Sequence, residues 1–336
     1  MFRFDERDTI FSRLELVPGT ERYKAYYSNR PELEKSDARY RKATGGKYCG
    51  TLIENARADS AFRFLKDTRS LAAGYGRAAF LKPDCSPPAE KECMAQTNRT
   101  LKEIAFDYGA DLFGAAVLGL ECFYRVRGRG DSYGKPVKNP LRNTLVYAVE
   151  MNRKQIEKAP RVEELIEASR SYVRVMLIGM ALSYFLRELG FQARAHIEGE
   201  SELILPAAAA GAGIGEIGRM GLLITGQHGP MIRLGAVTTS YPVDDFSDNS
   251  SPVSEKGLVK KFCQQCGLCA ENCPGKAIPS INELNKSTDT GKPRWNIDPE
   301  ACYSIWHEYG TSCGICVAVC PYNSNINISN YKQDKR

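Results

Sequence analysis

Twelve cysteines lie in this chain of 336 residues, and eight of them fall in two runs that few structures can satisfy. The first run is Cys263-x2-Cys266-x2-Cys269-x3-Cys273-Pro274, and the second is Cys302-x10-Cys313-x2-Cys316-x3-Cys320-Pro321. An iron-sulfur cube needs four thiolates converging on one centre; a C-x2-C-x2-C turn wraps three around it and leaves the fourth to come from afar. Where two cubes share a domain, the last cysteine of each run ligates the other cube. The spacing therefore assigns Cys263, Cys266, Cys269 and Cys320 to one 4Fe-4S cluster, and Cys302, Cys313, Cys316 and Cys273 to the second. Cys302 departs from the pattern, separated from its neighbour by ten residues instead of two. Zinc also binds C-x2-C pairs, but zinc modules do not usually repeat the C-x2-C-x3-C-P half found twice here. Disulfides are disfavoured, because this spacing points the sulfurs at a common centre rather than pairing them across long loops.

The whole chain is long enough for two or three domains with a sizeable core. Its 43% hydrophobic and 26% charged residues are those of an ordinary globular protein. The net charge of +6 is scattered rather than massed, so a nucleic-acid partner is not expected. No run reaches the roughly 18 to 20 apolar residues that span a bilayer, and Met1 to Glu6 holds no apolar export-signal core. A cytoplasmic protein fits that start, as does a mature domain trimmed of its signal. Cys49, Cys85, Cys93 and Cys122 share no ligand spacing and read as structural thiols.

Residues 1–100 are polar and broken by Gly45-Gly46 and Ser86-Pro87-Pro88. Apart from a helical stretch around Ala56 to Leu71, they read as a cap of short helices and loops. Residues 101–250 alternate helix and strand: a helix over Leu101 to Tyr108, strands over Leu112 to Leu118 and Thr144 to Met151, and a long helix over Val162 to Leu189 stopped by Gly190. On that helix Val173, Leu177, Met180 and Tyr184 step by four, three and four and read as its apolar stripe. A strand over Gln192 to Ile197 and an alanine-rich helix over Ile204 to Ala210 follow. Gly221 to Thr225, the turn Gly226-Gln227-His228-Gly229 and Met231 to Thr239 then read as a hairpin. The interleaving predicts an α/β (α+β) domain with a mixed sheet between helical layers, and residues 251–336 form the two-cluster domain. Gly213-x-Gly215-x-x-Gly218 matches the dinucleotide fingerprint, but a helix precedes it and a strand follows, the reverse of the required context.

Several of these segments resemble the corrinoid-dependent reductive dehalogenases, over nearly the whole chain. Phe4-Asp5-Glu6 through Phe11-Ser12-Arg13 is similar to the start of the mature family domain, Tyr108 to Gly114 to its first core strand, and Leu189 to Ala193 to the end of its long helix. The strongest match is Ala210 to Arg219, followed by Gly229-Pro230-Met231-Ile232-Arg233 and the paired cysteine runs, in which the displaced Cys302 is itself family-like. The resemblance implies a nitroreductase-like core holding a base-off cobalamin (corrinoid), with Gly213, Gly215, Arg219 and Thr225 as candidate contacts. It also implies a C-terminal ferredoxin-like domain whose two 4Fe-4S clusters pass electrons to cobalt. No Asp-x-His-x-x-Gly sequence is present, and His196, His228 and His307 read as ordinary polar or structural histidines. The implied partners are a small organohalide, an upstream electron donor, a small membrane-anchor subunit and a second copy of the chain as a homodimer. The implied location is the outer face of the cytoplasmic membrane after loss of an export signal, and otherwise the cytoplasm.

Cleaving a carbon–halogen bond needs a strong reductant, and the carbon then needs a proton. The family uses a tyrosine and a downstream Lys or Arg; the matching positions here are Tyr172 on the long helix and Arg233, with Tyr184 as the rival. A cation beside the phenol is expected to lower its pKa from about 10. Organohalides offer little to hydrogen-bond, so an apolar pocket is expected, with Phe11 and Trp306 as wall residues. Two other functions compete. Epoxyqueuosine reductase is similar in its corrinoid and two clusters but acts on transfer RNA and carries helical repeats after the clusters, where this sequence ends sixteen residues beyond Cys320. A simple iron-sulfur electron carrier is the other, and it leaves the α/β domain without a role.

Overall fold

The computed structural model describes residues 3–42, 51–78, 91–243, 246, 257–280, 295–310 and 312–324. Cys49, Cys85 and the side chain of Cys93 lie outside the described residues, while Cys122 is buried. The N-terminal part is helical, with α1 (Ile10–Leu14), α2 (Glu21–Tyr27), α3 (Pro31–Lys42), α4 (Leu52–Ala78) and α5 (Lys91–Asp107). The core then runs β1 (Leu112–Val117), β2 (Asn143–Glu150), α6 (Arg153–Ile156), α7 (Val162–Glu188), β3 (Ala193–His196), α8 (Leu205–Gly211), β4 (Glu216–Ile217), β5 (Leu223–Ile224) and β6 (Ile232–Thr239). The cysteine segment carries α9 (Leu258–Cys266), α10 (Leu268–Glu271), α11 (Pro299–Tyr309) and α12 (Ile315–Ala318).

One sheet is built in the order β1-β2-β6-β3, and every neighbouring pair is antiparallel. The expected mixed sheet is corrected by this topology. Helix α7 carries the chain across the sheet from β2 to β3, leaving those strands parallel but not adjacent, and β6 slots between them antiparallel to both. The expected cap of short helices is corrected too, since α4 is 27 residues long and packs along α7.

Helix α7 starts with Glu163 and Glu164 in its first turn, where carboxylates complement the helix dipole. It stops where Gly190 takes φ +88°. The Gly190 and Phe191 amides then donate back to the Arg187 and Leu186 carbonyls, a Schellman stop. The helix sits close on the sheet because Gly179 and Gly235 leave room for Tyr147, whose hydroxyl donates to the Val175 carbonyl at 3.0 Å. Its buried stripe is Val175, Ile178, Leu182 and Leu186, each contributing about 1.5 to 3 kcal/mol by burial. The stripe read from the sequence is corrected: Leu177 and Tyr184 are exposed, and Val173 and Met180 are only partly buried.

The expected hairpin also gives way. Strand β5 pairs back with β4 while β6 joins the main sheet, and of the turn the Thr225–Gly229 bridge remains. Gly215 and Gly218 allow this, because a Cβ at either would collide with Ile224. The glycine pattern packs a short ribbon instead of cradling a dinucleotide. Beside the sheet, His196 is structural: its Nδ1 accepts from the Glu202 amide at 3.1 Å, so Nε2–H faces Thr238 Oγ1 at 2.8 Å. Burial holds its pKa well below the usual imidazole value.

Candidate functional site

The two cysteine runs are built alike. Cys266-Gly267-Leu268-Cys269 and Cys313-Gly314-Ile315-Cys316 each set a glycine in the left-handed region, at φ +71° and +68°, where the chain turns from one segment into the next short helix. Cys263 rides on α9, and its counterpart Cys302 rides on α11. Electrostatic proximity sorts the sulfurs into two sets. Cys269 and Cys320 both feel Cys263 and Cys266. Cys302 and Cys313 both feel Cys273, and Cys316 feels all three. Cys316 also senses Cys269, where the sets adjoin. This grouping puts three cysteines of one run with the last cysteine of the other, as the spacing had suggested.

Burial, reinforced by neighbouring thiols, pushes Cys269 and Cys316 up to about 12 and Cys302 up to about 11. Eight cysteines in two sets of four are the donor type and number that two 4Fe-4S clusters take, so the side chains present fit two clusters. Backbone donors converge on them as well, among them the Ala277 amide on Cys273 Sγ at 3.3 Å and the Arg219 amide on Cys263.

A pocket of about 480 Å³ is lined from α4, α7, β6 and α11 together with α1. Tyr172, Arg233, Phe11 and Trp306, four residues from four segments of the chain, all line it. Arg233 Cζ stands 5.2 Å from the centroid of the Tyr172 ring, a cation–π distance. Its Nε is buried with no hydrogen-bond partner among the described residues, which leaves a donor for an incoming group. Phe11 packs at 5.7 Å on both Tyr303 and Trp306. Glu164 is buried close by, receives a hydrogen bond from the Ser312 hydroxyl and lies within electrostatic reach of Arg233.

The phenol departs from expectation. Burial raises the pKa of Tyr172 and outweighs the lowering by Arg233, so the hydroxyl stays protonated across the neutral range. The rival Tyr184 is 39% exposed beside Arg187 and outside the pocket lining. The wall is also more charged than expected, since Arg63, Lys66, Arg69, Arg129 and Glu198 stand beside Phe62 and Leu65. Phe62, Leu65, Lys66 and Arg69 recur at helical spacing within the stretch that read as a helix, so a signal for that face existed. Glu164 and Glu198 carried none.

Of the four candidate corrinoid contacts, Gly213 keeps an open face, at φ +77° with nothing within 4 Å of an added Cβ. The others are corrected. Gly215 is closed by Ile224, and the Thr225 hydroxyl donates to the Gly229 carbonyl while accepting from the His228 amide. Arg219 is 1% exposed; its guanidinium donates to the Cys263 and Pro279 carbonyls and lies over the Trp295 ring. Arg219 therefore braces the first cysteine run.

Residues 262–324 match the model of a 4Fe-4S dicluster domain. The tetrachloroethene reductive dehalogenase of Sulfurospirillum multivorans is 33% identical over 193 residues, 55% of this chain and 36% of that protein. The enzyme of the same name from Desulfitobacterium hafniense is 30% identical over 242 residues, 70% of this chain and 42% of that protein. Among solved structures, a reductive dehalogenase from which a mechanism for B12-dependent dehalogenation was suggested shares the fold at a TM-score of 0.64 and 21% identity, over 89% of this chain and 43% of that one. The chain thus matches less than half the length of each of these proteins. Over the region matched, in sequence and in fold, it is a homologue of the reductive dehalogenases.

Proposed function

We propose that this chain carries the catalytic core of a reductive dehalogenase acting on a small organohalide. The observation that supports this reading best is the convergence of Tyr172, Arg233 and Trp306 on one pocket, with Trp306 on the helix that also bears Cys302. In this reading Cys263, Cys266, Cys269 and Cys320 hold one 4Fe-4S cluster, and Cys302, Cys313, Cys316 and Cys273 hold the other. A cobalamin, when bound, supplies the strongly reducing centre that breaks the carbon–halogen bond. The unpartnered Arg233 Nε in the pocket wall fits such a group beside it.

The chain's own residues position substrate and proton. Phe11 and Trp306 give the organohalide an apolar wall within a lining that also carries charge. Tyr172 holds a proton on its hydroxyl at neutral pH, and Arg233 over its ring stabilises the phenolate left when that proton goes to carbon. The organohalide gains two electrons and one proton and releases halide. In this reading the protein works at the outer face of the cytoplasmic membrane beside a separate anchor subunit; among the described residues, no helix is long and apolar enough to cross a membrane.

The test is halide release by anaerobically purified protein reconstituted with iron, sulfide and cobalamin and supplied with a low-potential viologen. Release from chlorinated ethenes or halogenated phenols that depends on cobalamin supports the reading. No release with both cofactors bound, or equal release without cobalamin, contradicts it.

A further inference from the structure

Three arginines are buried among the described residues: Arg13, Arg127 and Arg219. Taking a guanidinium out of water is costly unless an anion meets it. Arg13 meets Asp37 at 2.9 Å and Glu300, and Arg127 meets Glu6 at 2.8 Å and Glu200 at 3.9 Å. Arg219 is different, because its guanidinium donates to carbonyls alone: Cys263 at 3.1 Å, Pro279 at 3.2 Å and Ser280. It also lies 5.2 Å from the centroid of the Trp295 ring. Glu216, three residues earlier, is engaged by the Gly257 and Lys260 amides at the start of α9. Arginine keeps its charge at any working pH. A full positive charge is therefore buried with no carboxylate paired to it among the described residues.

The first cysteine set supplies the anion. Arg219 lines the same cavity as Cys263, Cys266, Cys269 and Cys320, the four members of that set. The backbone next to it runs against the same place, since a Cβ on Gly218 would lie 3.6 Å from Cys263 Sγ. A cube held by four thiolates is a net anion, and reduction adds one more negative charge. A fixed cation beside it favours the reduced cube over the oxidised one, and burial keeps water and salt from screening the attraction. The second set shows the contrast. The charged group packed on its turn is Glu164, whose carboxyl carbon would stand 2.8 Å from a Cβ on Gly314.

We infer that Arg219 is the counter-charge of the first cluster and raises its potential, so that this side chain tunes electron delivery as well as bracing the fold. This role rests on the two-cluster reading and goes beyond it by assigning one buried charge to one cluster. It also accounts for a cation placed where no protein carboxylate pairs with it.

The test is a redox titration of the reconstituted two-cluster protein followed by electron paramagnetic resonance, the first cluster being the signal lost in Cys266→Ala. Arg219→Gln removes the charge and keeps an amide donor, whereas Arg219→Lys keeps the charge and gives up the fork. In Arg219→Gln the first cluster alone should move to lower potential, and Arg219→Lys should hold it near the parent value. An unshifted first midpoint in Arg219→Gln at full iron content, an equal shift of both clusters, or a fall in Arg219→Lys as large as in Arg219→Gln overturns the inference. Should Arg219→Gln fail to keep the first cluster, the conservative variant decides. The parent's iron content in Arg219→Lys then supports the counter-charge, while loss of the same cluster from both variants marks a brace alone and overturns it. A protein with iron bound but a single kind of cluster signal would instead overturn the two-cluster reading beneath it.

Discussion

The two cysteine sets share their turns and differ in what holds them. Around the first set the frame is near in space and simple: α9, the left-handed Gly267, and Arg219 clasping the Cys263 carbonyl. The second set leans on segments far apart in the chain. Arg13 ties α11 to Asp37, which also accepts from the Tyr27 hydroxyl at 2.6 Å. Tyr40 packs on Tyr303 at 5.2 Å, and Glu164 of α7 reaches Ser312. Several of these contacts also build the pocket, since Phe11, Trp306 and Ser312 line it. The difference teaches that the second set shares its supports with the pocket, whereas the supports of the first set do not line it.

The largest effect should come from Cys273→Ala. Although Cys273 belongs to the first run, its neighbours are Cys302, Cys313 and Cys316. The variant should lose about four of about eight iron atoms, together with the resonance signal that Cys316→Ala removes. Loss of the signal that Cys266→Ala removes would break the comparison. Next comes Arg233→Ala, which strips the charge from above Tyr172 and from beside buried Glu164. Turnover should fall by ~100-fold, the scale of a disabled proton donor, with Arg233→Lys keeping part of it and iron content unchanged.

Arg13→Ala should be milder for catalysis and visible in stability. Removing one partner of a buried pair costs about 3 to 5 kcal/mol, so the thermal midpoint should drop and the signal of the second set should broaden or weaken. Equal damage to both sets would show that α11 does not depend specifically on this clamp. The smallest effect lies away from either set, at His196. Its folded pKa is depressed, so the unfolded chain takes up the proton first. The stability tied to neutral His196 is full above the unfolded value of about 6.5 and is lost as pH falls below it. A denaturation series across pH 7 to 5 should show that slope, and His196→Gln should flatten it while both cluster signals persist.

Much of this was legible because it rests on local chemistry. The cysteine runs carry their grouping into two sets in their spacing, and β1, β2, α7 and Gly190 follow period and punctuation closely. What failed was choice among partners. Gly226 to Gly229 looks like a hairpin turn, yet β5 prefers β4 because Gly215 and Gly218 let Ile224 approach. The middle of α7 is apolar around most of its circumference, so periodicity could not say that Ile178 and Leu182 face inward and Leu177 outward. Tyr172 and Arg233 were placed by family resemblance, and the shift of the phenol went the other way because burial, invisible in sequence, outweighs one guanidinium. Arg219 reads as a ligand contact in a glycine-rich segment, and it is a brace because a remote loop supplies carbonyls for it.

The proton donor is the most exposed point of the proposed chemistry, and Tyr172→Phe tests it most directly. Halide release should be measured on the reconstituted holoenzyme beside Tyr184→Phe, with both cluster signals and bound cobalamin quantified in each sample. Tyr172→Phe should retain both cofactors and lose ~100-fold or more in turnover, the usual contribution of a positioned acid, while Tyr184→Phe, on the exposed side of α7, works at the parent rate. Parent-rate dehalogenation by Tyr172→Phe with cofactors intact would contradict the assignment of this pocket as the place where carbon receives its proton.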